Sequence, residues 1–246
     1  MKIHSVKFNF AMNMLLTVSN FLFPLITFPY VSRVLSPIGT GKVAFAYSIV
    51  SYFSIFAAFG VANYGIRACA QVRDDKEKLS KTVQEILLIN MVLMSFVYIV
   101  YFLGIVFVPE LKVEKTLFLI SGLNILFTIV GVEWLYKGIE QYFYITIRSI
   151  IFKLIAFLLV FTCVKTENDY SAYAFIIIFA TVGSGVVNLY NLRKIITIKY
   201  FSNYDFKRHL KPMMTFFITT IAVAFYVNVS VALLGFIQGN EEVGYY

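Results

Sequence analysis

Three ionisable residues near the middle of the chain could do chemistry inside a membrane. Glu133 lies near the end of one long apolar stretch, Arg148 lies near the start of the next, and Lys153 follows within it. Charged groups at membrane depth cost about 2.5–3.5 kcal/mol each on insertion scales, so their presence is informative. Arginine offers a forked donor that fits phosphate, and lysine a compact positive charge. The sequence therefore predicts a cavity in which Arg148 and Lys153 attract an anion and Glu133 orients one of them.

The spacing of Glu133 and Arg148 also allows a purely structural role. The connection between the two stretches centres near Gln141, which places both residues at similar depth on antiparallel helices. Arg148 could then extend to the interface and pair with Glu133 without touching a substrate. Lys153 lies roughly 7.5 Å deeper, at about 1.5 Å of rise per residue. We favour the cavity for Lys153 and keep both interpretations for the other two residues.

Arg33 and Arg67 flank the first two apolar stretches. Each follows an aromatic residue, in Tyr30-Val31-Ser32-Arg33 and Tyr64-Gly65-Ile66-Arg67. Aromatic and basic residues in such positions are typical of anchors at the membrane interface. Interfacial anchoring is therefore the commoner role for both arginines.

Several polar and small residues lie inside the apolar stretches. Pro24 and Pro29 remove backbone donors from the first stretch and are expected to kink it. Gly183-Ser184-Gly185 predicts a close approach between helices. Five asparagines are more typical of hydrogen bonds between helices than of substrate contacts: Asn13, Asn20, Asn63, Asn90 and Asn124.

The elements that must position these residues are membrane-spanning helices. Hydrophobic residues make up 60% of the 246 residues, charged residues only 14%, and the mean hydropathy is +0.80. This composition excludes a soluble domain and a disordered chain, and it predicts an all-α polytopic membrane protein. A span needs about 20 apolar residues. Seven stretches meet this length: 9–30, 43–64, 86–108, 116–136, 146–164, 171–190 and 213–237.

The basic residues predict an orientation. With a cytoplasmic N-terminus, 15 Lys and Arg residues fall on the inside and five on the outside. This bias follows the positive-inside rule, so the N-terminus is predicted to be cytoplasmic. The net charge of +8 is explained by the same loops facing anionic lipid, without nucleic acid as a partner.

The sequence offers little for catalysis or for metal binding. Its two histidines, His4 and His209, lie in basic segments, and no nucleophile-elbow, metalloprotease or phosphate-loop motif occurs. The acidic run Asp74-Asp75-Lys76-Glu77 is typical of a solvated loop. We therefore predict a non-enzyme with neither metal nor cofactor.

Two ordered patches resemble a known family. The first runs from Pro24 to Arg73 and includes Pro29-Tyr30-Val31-Ser32-Arg33-Val34-Leu35, Phe59-Gly60 and Tyr64-Gly65-Ile66-Arg67. The second is Glu133-Trp134-Leu135-Tyr136-Lys137-Gly138, followed by Tyr144 to Ser149. Both are similar to the polysaccharide transporters, the Wzx-type flippases for O-antigen and capsular repeat units. This family belongs to the superfamily that also holds the MATE drug exporters.

The resemblance implies a function and a place in the cell. Such proteins move undecaprenyl-diphosphate-linked oligosaccharides across the bacterial cytoplasmic membrane by ion-coupled alternating access, within a cationic cavity between two six-helix lobes. The resemblance makes the lipid-linked diphosphate and membrane lipids the expected partners, together with a polysaccharide polymerase and a chain-length regulator. Carried onto this sequence, it makes Arg33, Arg67, Arg148 and Lys153 the expected substrate-binding residues and Glu133 a coupling or ion-pairing residue.

The sequence departs from the family in length. Seven stretches stand against the family's twelve to fourteen, and Gly239-Asn240-Glu241-Glu242-Val243-Gly244-Tyr245 echoes Gly39 to Phe45 at an offset of 200. We therefore expect residues 1–212 to form a MATE-like six-helix lobe and 213–246 the first helix of a truncated second lobe. The alternatives are a cation-coupled multidrug exporter, a membrane glycosyltransferase or polymerase, and a non-functional remnant.

Overall fold

In the computed structural model the described residues are 5–127, 130–199, 201 and 203–246. Within them the chain is helical and forms no strand. The helices are α1 (Val6–Ala58), α2 (Val61–Val72), α3 (Lys76–Phe107), α4 (Pro109–Val113), α5 (Lys115–Phe127), α6 (Glu133–Gly138), α7 (Tyr142–Cys163), α8 (Tyr170–Ile195), α9 (Lys207–Ile237) and α10 (Asn240–Tyr245), with a 3₁₀ turn at Glu167–Asp169.

Four helical segments are long and apolar enough to cross a membrane. They are Val6–Val72, Lys76–Phe107, Tyr142–Cys163 and Glu167–Ile195, and the bent pair Lys207–Ala224 and Val229–Ile237 makes a fifth if it counts as one span. The predicted all-α polytopic membrane protein is confirmed.

The first two predicted spans are the two arms of α1. The backbone dihedrals stay helical at Pro24 and Pro29, where the sequence predicts a kink. The break in helical geometry lies at Ser36, whose φ is 57° and ψ is 173°. Ser36 precedes Pro37, and the proline ring pushes the preceding residue out of the helical region. The second arm ends at Ala58, before the predicted residue 64, because Phe59 and Gly60 both take the left-handed conformation.

The fourth predicted span, 116–136, is not one helix. Helix α5 ends at Phe127 and α6 begins at Glu133, with Val132 in the left-handed region at φ 41°. Thr128 and Ile129 lie outside the described residues. Helix α8 contacts the chain at this break, where Asn188 Nδ2 donates to the Gly131 carbonyl oxygen at 2.5 Å. A side chain of α8 thus supplies a hydrogen bond that a continuous helix would supply from its own backbone.

Small residues allow the close helix contacts that the sequence predicted. A Cβ on Gly185 would lie 3.2 Å from Gly131 Cα, and a Cβ on Gly65 of α2 would lie 2.5 Å from the Trp134 ring of α6. The predicted close approach at Gly183-Ser184-Gly185 is confirmed at Gly185. These contacts bring α2, α6 and α8 together around the broken segment.

A buried carboxylate fastens the start of α9 to the rest of the bundle. Glu85 of α3 is completely buried; its Oε1 accepts from the Asp205 backbone N–H at 2.7 Å, and its Oε2 accepts from Arg208 Nη2 at 2.5 Å. His209 Nε2 lies 2.7 Å from the same oxygen, and its Nδ1 lies 2.6 Å from the Tyr64 hydroxyl of α2. We call these five residues the Glu85 anchor.

The acidic run before α3 caps that helix. Asp75 is the N-cap residue, and one of its carboxylate oxygens accepts from the backbone N–H groups of Lys78 and Glu77. These hydrogen bonds, with that of Lys78 foremost, hold the pKa of Asp75 below its ordinary value. Asp75 therefore has a structural role in starting α3.

The segment at 239–246 packs on α1. A Cβ on Gly41 would overlap the Asn240 carbonyl oxygen, and a Cβ on Gly244 would overlap that of Pro37. Nearby, the rings of Phe45 and Phe236 meet edge to face with centroids 5.1 Å apart. The two segments that echo each other in sequence are therefore in direct contact.

Candidate functional site

A chamber of about 470 Å³, with many polar side chains in its wall, lies between α1, α2, α5, α6, α7 and α8. We call it the chamber. Its charged lining residues are Glu133, Lys137 and Lys153. The uncharged polar residues in its wall are Asn20, Asn63, Asn124, Ser149, Thr181 and Ser184.

Lys153 of α7 is one of the charged residues in the chamber wall. It is the twelfth of the 22 residues of α7, which places it at the midpoint of a membrane-spanning helix. Its Nζ donates to Ser19 Oγ at 2.7 Å and to Asn20 Oδ1 at 2.5 Å, both on α1. In the described part of the chain Lys153 forms no ion pair with a carboxylate. Glu133 lines the same chamber and attracts this ammonium only over a longer distance, so a bound anion would be its direct counter-charge.

The predicted proximity of Glu133 and Arg148 is confirmed, and their exposure differs. Arg148 Nη2 donates to Glu133 Oε1 at 3.0 Å. Only 5% of the Arg148 side chain is exposed, against 37% of Glu133. Glu133 lines the chamber, whereas Arg148 lies behind it and close to the Tyr144 ring. The structure therefore places Glu133 between the chamber and Arg148.

Lys137 also lines the chamber, although its sequence position gave no reason to choose it. It lies one helical turn after Glu133 on α6, and its Nζ is 3.4 Å from Glu133 Oε2. The signal that could have found it is this spacing of four residues within the second family-like patch. The sequence instead predicted one long helix there, on which Lys137 would have lain at its cytoplasmic end.

Three of the five asparagines face the chamber. Asn20, Asn63 and Asn124 are lining residues, and Asn20 also makes the predicted kind of hydrogen bond between helices, because its Oδ1 accepts from Lys153 of α7. Asn90 does make such a bond, from its Nδ2 to the Ala57 carbonyl oxygen at 2.5 Å. Position alone could not separate the two roles, because both need an asparagine inside a span.

Arg33 and Arg67 do not line the chamber. Both are exposed. Arg67 follows the lining residue Asn63 by one turn of α2. It therefore lies on the same face of α2, closer to the C-terminal end of the helix. Of the five predicted site residues, Lys153 and Glu133 line the chamber and Arg148 pairs with Glu133 without lining it. Arg33 and Arg67 lie apart from them.

The break between α5 and α6 shapes one wall of the chamber. Gly131, Val132 and Glu133 all line it. The left-handed conformation of Val132 is unusual for a β-branched residue and costs on the order of 1–3 kcal/mol. Such strain persists only where the surroundings hold it, and here Asn188 and Gly185 of α8 do so. The break turns the chain so that Glu133 and Lys137 enter the chamber.

Over the residues that the structure describes, the two lysines and one glutamate of the lining give the chamber a formal excess of one positive charge. Among the described residues no group of three or more His, Cys, Asp or Glu side chains comes close enough to hold a metal ion.

Comparisons with known proteins place the chain in a family. The family model described as "Polysaccharide biosynthesis protein" matches residues 6–246. A protein of Escherichia coli (strain K12), named provisionally as an O-antigen transporter, is 27% identical over 228 residues, which are 92% of this chain and 55% of that protein. A protein of Shigella dysenteriae with the same provisional name is 28% identical over 240 residues, which are 97% of this chain and 60% of that protein.

The chain spans only 55–60% of the length of these curated relatives. No solved structure matches it significantly. The family model, by contrast, covers the chain from residue 6 to its last residue, including the chamber and both family-like patches. The chain therefore belongs to the polysaccharide biosynthesis protein family.

Proposed function

We propose that this chain is part of a flippase that moves an undecaprenyl-diphosphate-linked oligosaccharide across the bacterial cytoplasmic membrane. The observation that carries the proposal is Lys153, a cation at the midpoint of a spanning helix with only neutral hydrogen-bond partners. A diphosphate would supply the counter-charge, and the polar wall of the chamber offers donors and acceptors for sugar hydroxyls. The names of the two relatives support a transporter of O-antigen.

In this proposal Glu133 controls the charge of the chamber. It pairs with Arg148 at 3.0 Å and with Lys137 at 3.4 Å, so an arriving anion competes with Glu133 for these cations. Release of Lys137 would let the chamber adapt to its ligand. Glu133 is therefore the proposed coupling residue.

The proposal can be tested by substituting Lys153 in the protein expressed from the whole gene. In a strain that lacks its own O-antigen transporter, we expect Lys153→Ala to reduce surface O-antigen at least tenfold and Lys153→Arg to retain part of it. The reduction follows from the loss of the chamber cation that, within the described residues, has no carboxylate in ion-pair contact. Surface polysaccharide is measured on lipopolysaccharide gels, with protein abundance in the membrane measured in parallel.

Lys112→Ala is the matched control, because Lys112 is an exposed lysine between α3 and α5 and does not line the chamber. It should behave as the unsubstituted protein does. Normal O-antigen display by Lys153→Ala would contradict the proposal. A drug-resistance phenotype that survives Lys153→Ala would instead favour export of cationic drugs.

A further inference from the structure

Lys153 lines two spaces, one of which has many more polar side chains in its wall than the other. Besides the chamber, it lines a groove of about 450 Å³ between both arms of α1, α7 and α8. Asn20, Ala180 and Thr181 also line both spaces, so the chamber and the groove adjoin at Lys153. A ligand bound to Lys153 would therefore lie next to both.

The groove differs from the chamber in its chemistry. Beyond the shared residues, its wall is formed mainly by aliphatic and aromatic side chains, among them Phe23, Val31, Phe157, Val160 and Ile176. Contact with water is unfavourable for such a surface, and a hydrocarbon chain is the ligand it suits best. The volume falls within the 300–1,000 Å³ usual for small-molecule sites.

The three features together describe an amphiphile with its charge in the middle. A polar group fits the chamber, an anion fits Lys153, and a hydrocarbon chain fits the groove. Building on the function proposed above, we infer that the groove holds the part of the isoprenoid chain next to the diphosphate while the saccharide occupies the chamber. The protein thus takes part of the lipid out of the bilayer instead of leaving the whole chain there.

The inference predicts that the hydrocarbon chain adds affinity. The whole-gene protein in phosphatidylcholine nanodiscs should bind farnesyl diphosphate at least about tenfold more tightly than inorganic diphosphate, since burying two methylene groups is worth about that much. Lys153→Ala should weaken both ligands. Equal affinity of the unsubstituted protein for the two ligands would overturn the inference.

A matched pair of substitutions on α7 separates the groove from the lipid-facing surface. Ala156 lines the groove but not the chamber, whereas the side chain of Leu158 is 64% exposed and lines neither. Ala156→Phe should remove the advantage of farnesyl diphosphate and leave inorganic diphosphate binding unchanged. Leu158→Phe should change neither. If Ala156→Phe still binds farnesyl diphosphate more tightly than inorganic diphosphate, the groove does not hold the isoprenoid chain. In that case the proposed function still stands as long as Lys153→Ala abolishes O-antigen display.

A labelling experiment tests the inference without relying on a variant that folds. Farnesyl diphosphate with a benzophenone at the end of its chain should label peptides of α1 or α7 that contain Phe28 or Phe157. Labels found only elsewhere would overturn the assignment. Loss of the labels when phosphatidylglycerol replaces phosphatidylcholine would also overturn the assignment. It would mean that an ordinary anionic phospholipid displaces the probe from the groove.

Discussion

At the scale of single residues, the charged groups of this bundle differ more in the side chains that they contact than in their residue type. Lys153 and Arg148 are both cations of α7, yet one contacts neutral groups only and the other pairs with Glu133. An unpaired charge attracts a ligand, whereas a buried pair is costly mainly when one member is removed. Lys153 is therefore the residue for binding experiments, and the Glu133–Arg148 pair is the one for stability experiments.

Glu133→Gln should lower the free energy of unfolding by about 2 kcal/mol. Removing one partner of a fully buried pair costs ~3–5 kcal/mol, and the loss should be smaller here because Glu133 is partly exposed. The substitution leaves the buried Arg148 guanidinium without its carboxylate. Unfolding of the purified protein in detergent, followed by circular dichroism, measures the change.

Glu140→Gln provides the control, because its partner Arg73 has 35% of its side chain exposed against 5% for Arg148. Exposed pairs contribute about 0–1 kcal/mol, so this change should be small. Adding Arg148→Met to Glu133→Gln should recover part of the loss. Equal effects of the two glutamine substitutions would show that burial of Arg148 does not matter.

At the scale of elements, the Glu85 anchor connects α2, α3 and α9. Glu85→Ala should destabilise the protein by about 3–5 kcal/mol, because it leaves Arg208 and His209 without their common acceptor. Backbone amides around 203–212 should then exchange with deuterium faster. Hydrogen exchange read by mass spectrometry measures both effects.

Glu77→Ala is the control for the anchor. Glu77 lies on the same helix and pairs with Lys199, with 68% of the Glu77 side chain exposed. Its loss should change stability by about 1 kcal/mol at most. Unchanged exchange at 203–212 in Glu85→Ala would show that the anchor does not hold the start of α9.

The elements also show what the sequence could and could not predict. The apolar stretches located the spanning helices, because a membrane demands a fixed length of apolar helix. Constant helical rise likewise gave the depth of Lys153 and its distance from Arg148. The break before Glu133 depends on Gly185 and Asn188 of α8, more than 50 residues away, and no local pattern reveals such a contact. Lys137 was missed for this reason.

At the scale of the whole molecule, the contact between α1 and α10 joins the two echoing segments. Gly41→Ala should separate them, because its Cβ would overlap the Asn240 carbonyl oxygen. Spin labels on Ile38 and Tyr246, measured by electron–electron double resonance in the whole-gene protein, should report a longer or broader distance.

Gly104→Ala is the matched control for that experiment. It also replaces a helical glycine, but the nearest atom to its Cβ would be Leu111 Cδ1 at 3.9 Å. It should leave the distance unchanged and stabilise α3 slightly, by up to about 1 kcal/mol. An unchanged distance in Gly41→Ala would mean that this contact does not position α10.

The midpoint position of Lys153 has an electrical consequence. Moving one elementary charge through a membrane potential of 100 mV changes its electrostatic energy by about 2.3 kcal/mol. A site at the midpoint of α7 has about half of this potential difference on each side. With an inside-negative potential, the electrostatic energy of an anion that enters from the cytoplasm falls as the anion moves toward Lys153. It falls again as the anion leaves on the outer side. The resting voltage of the cell thus favours the same direction at both steps, whatever ion gradient is present.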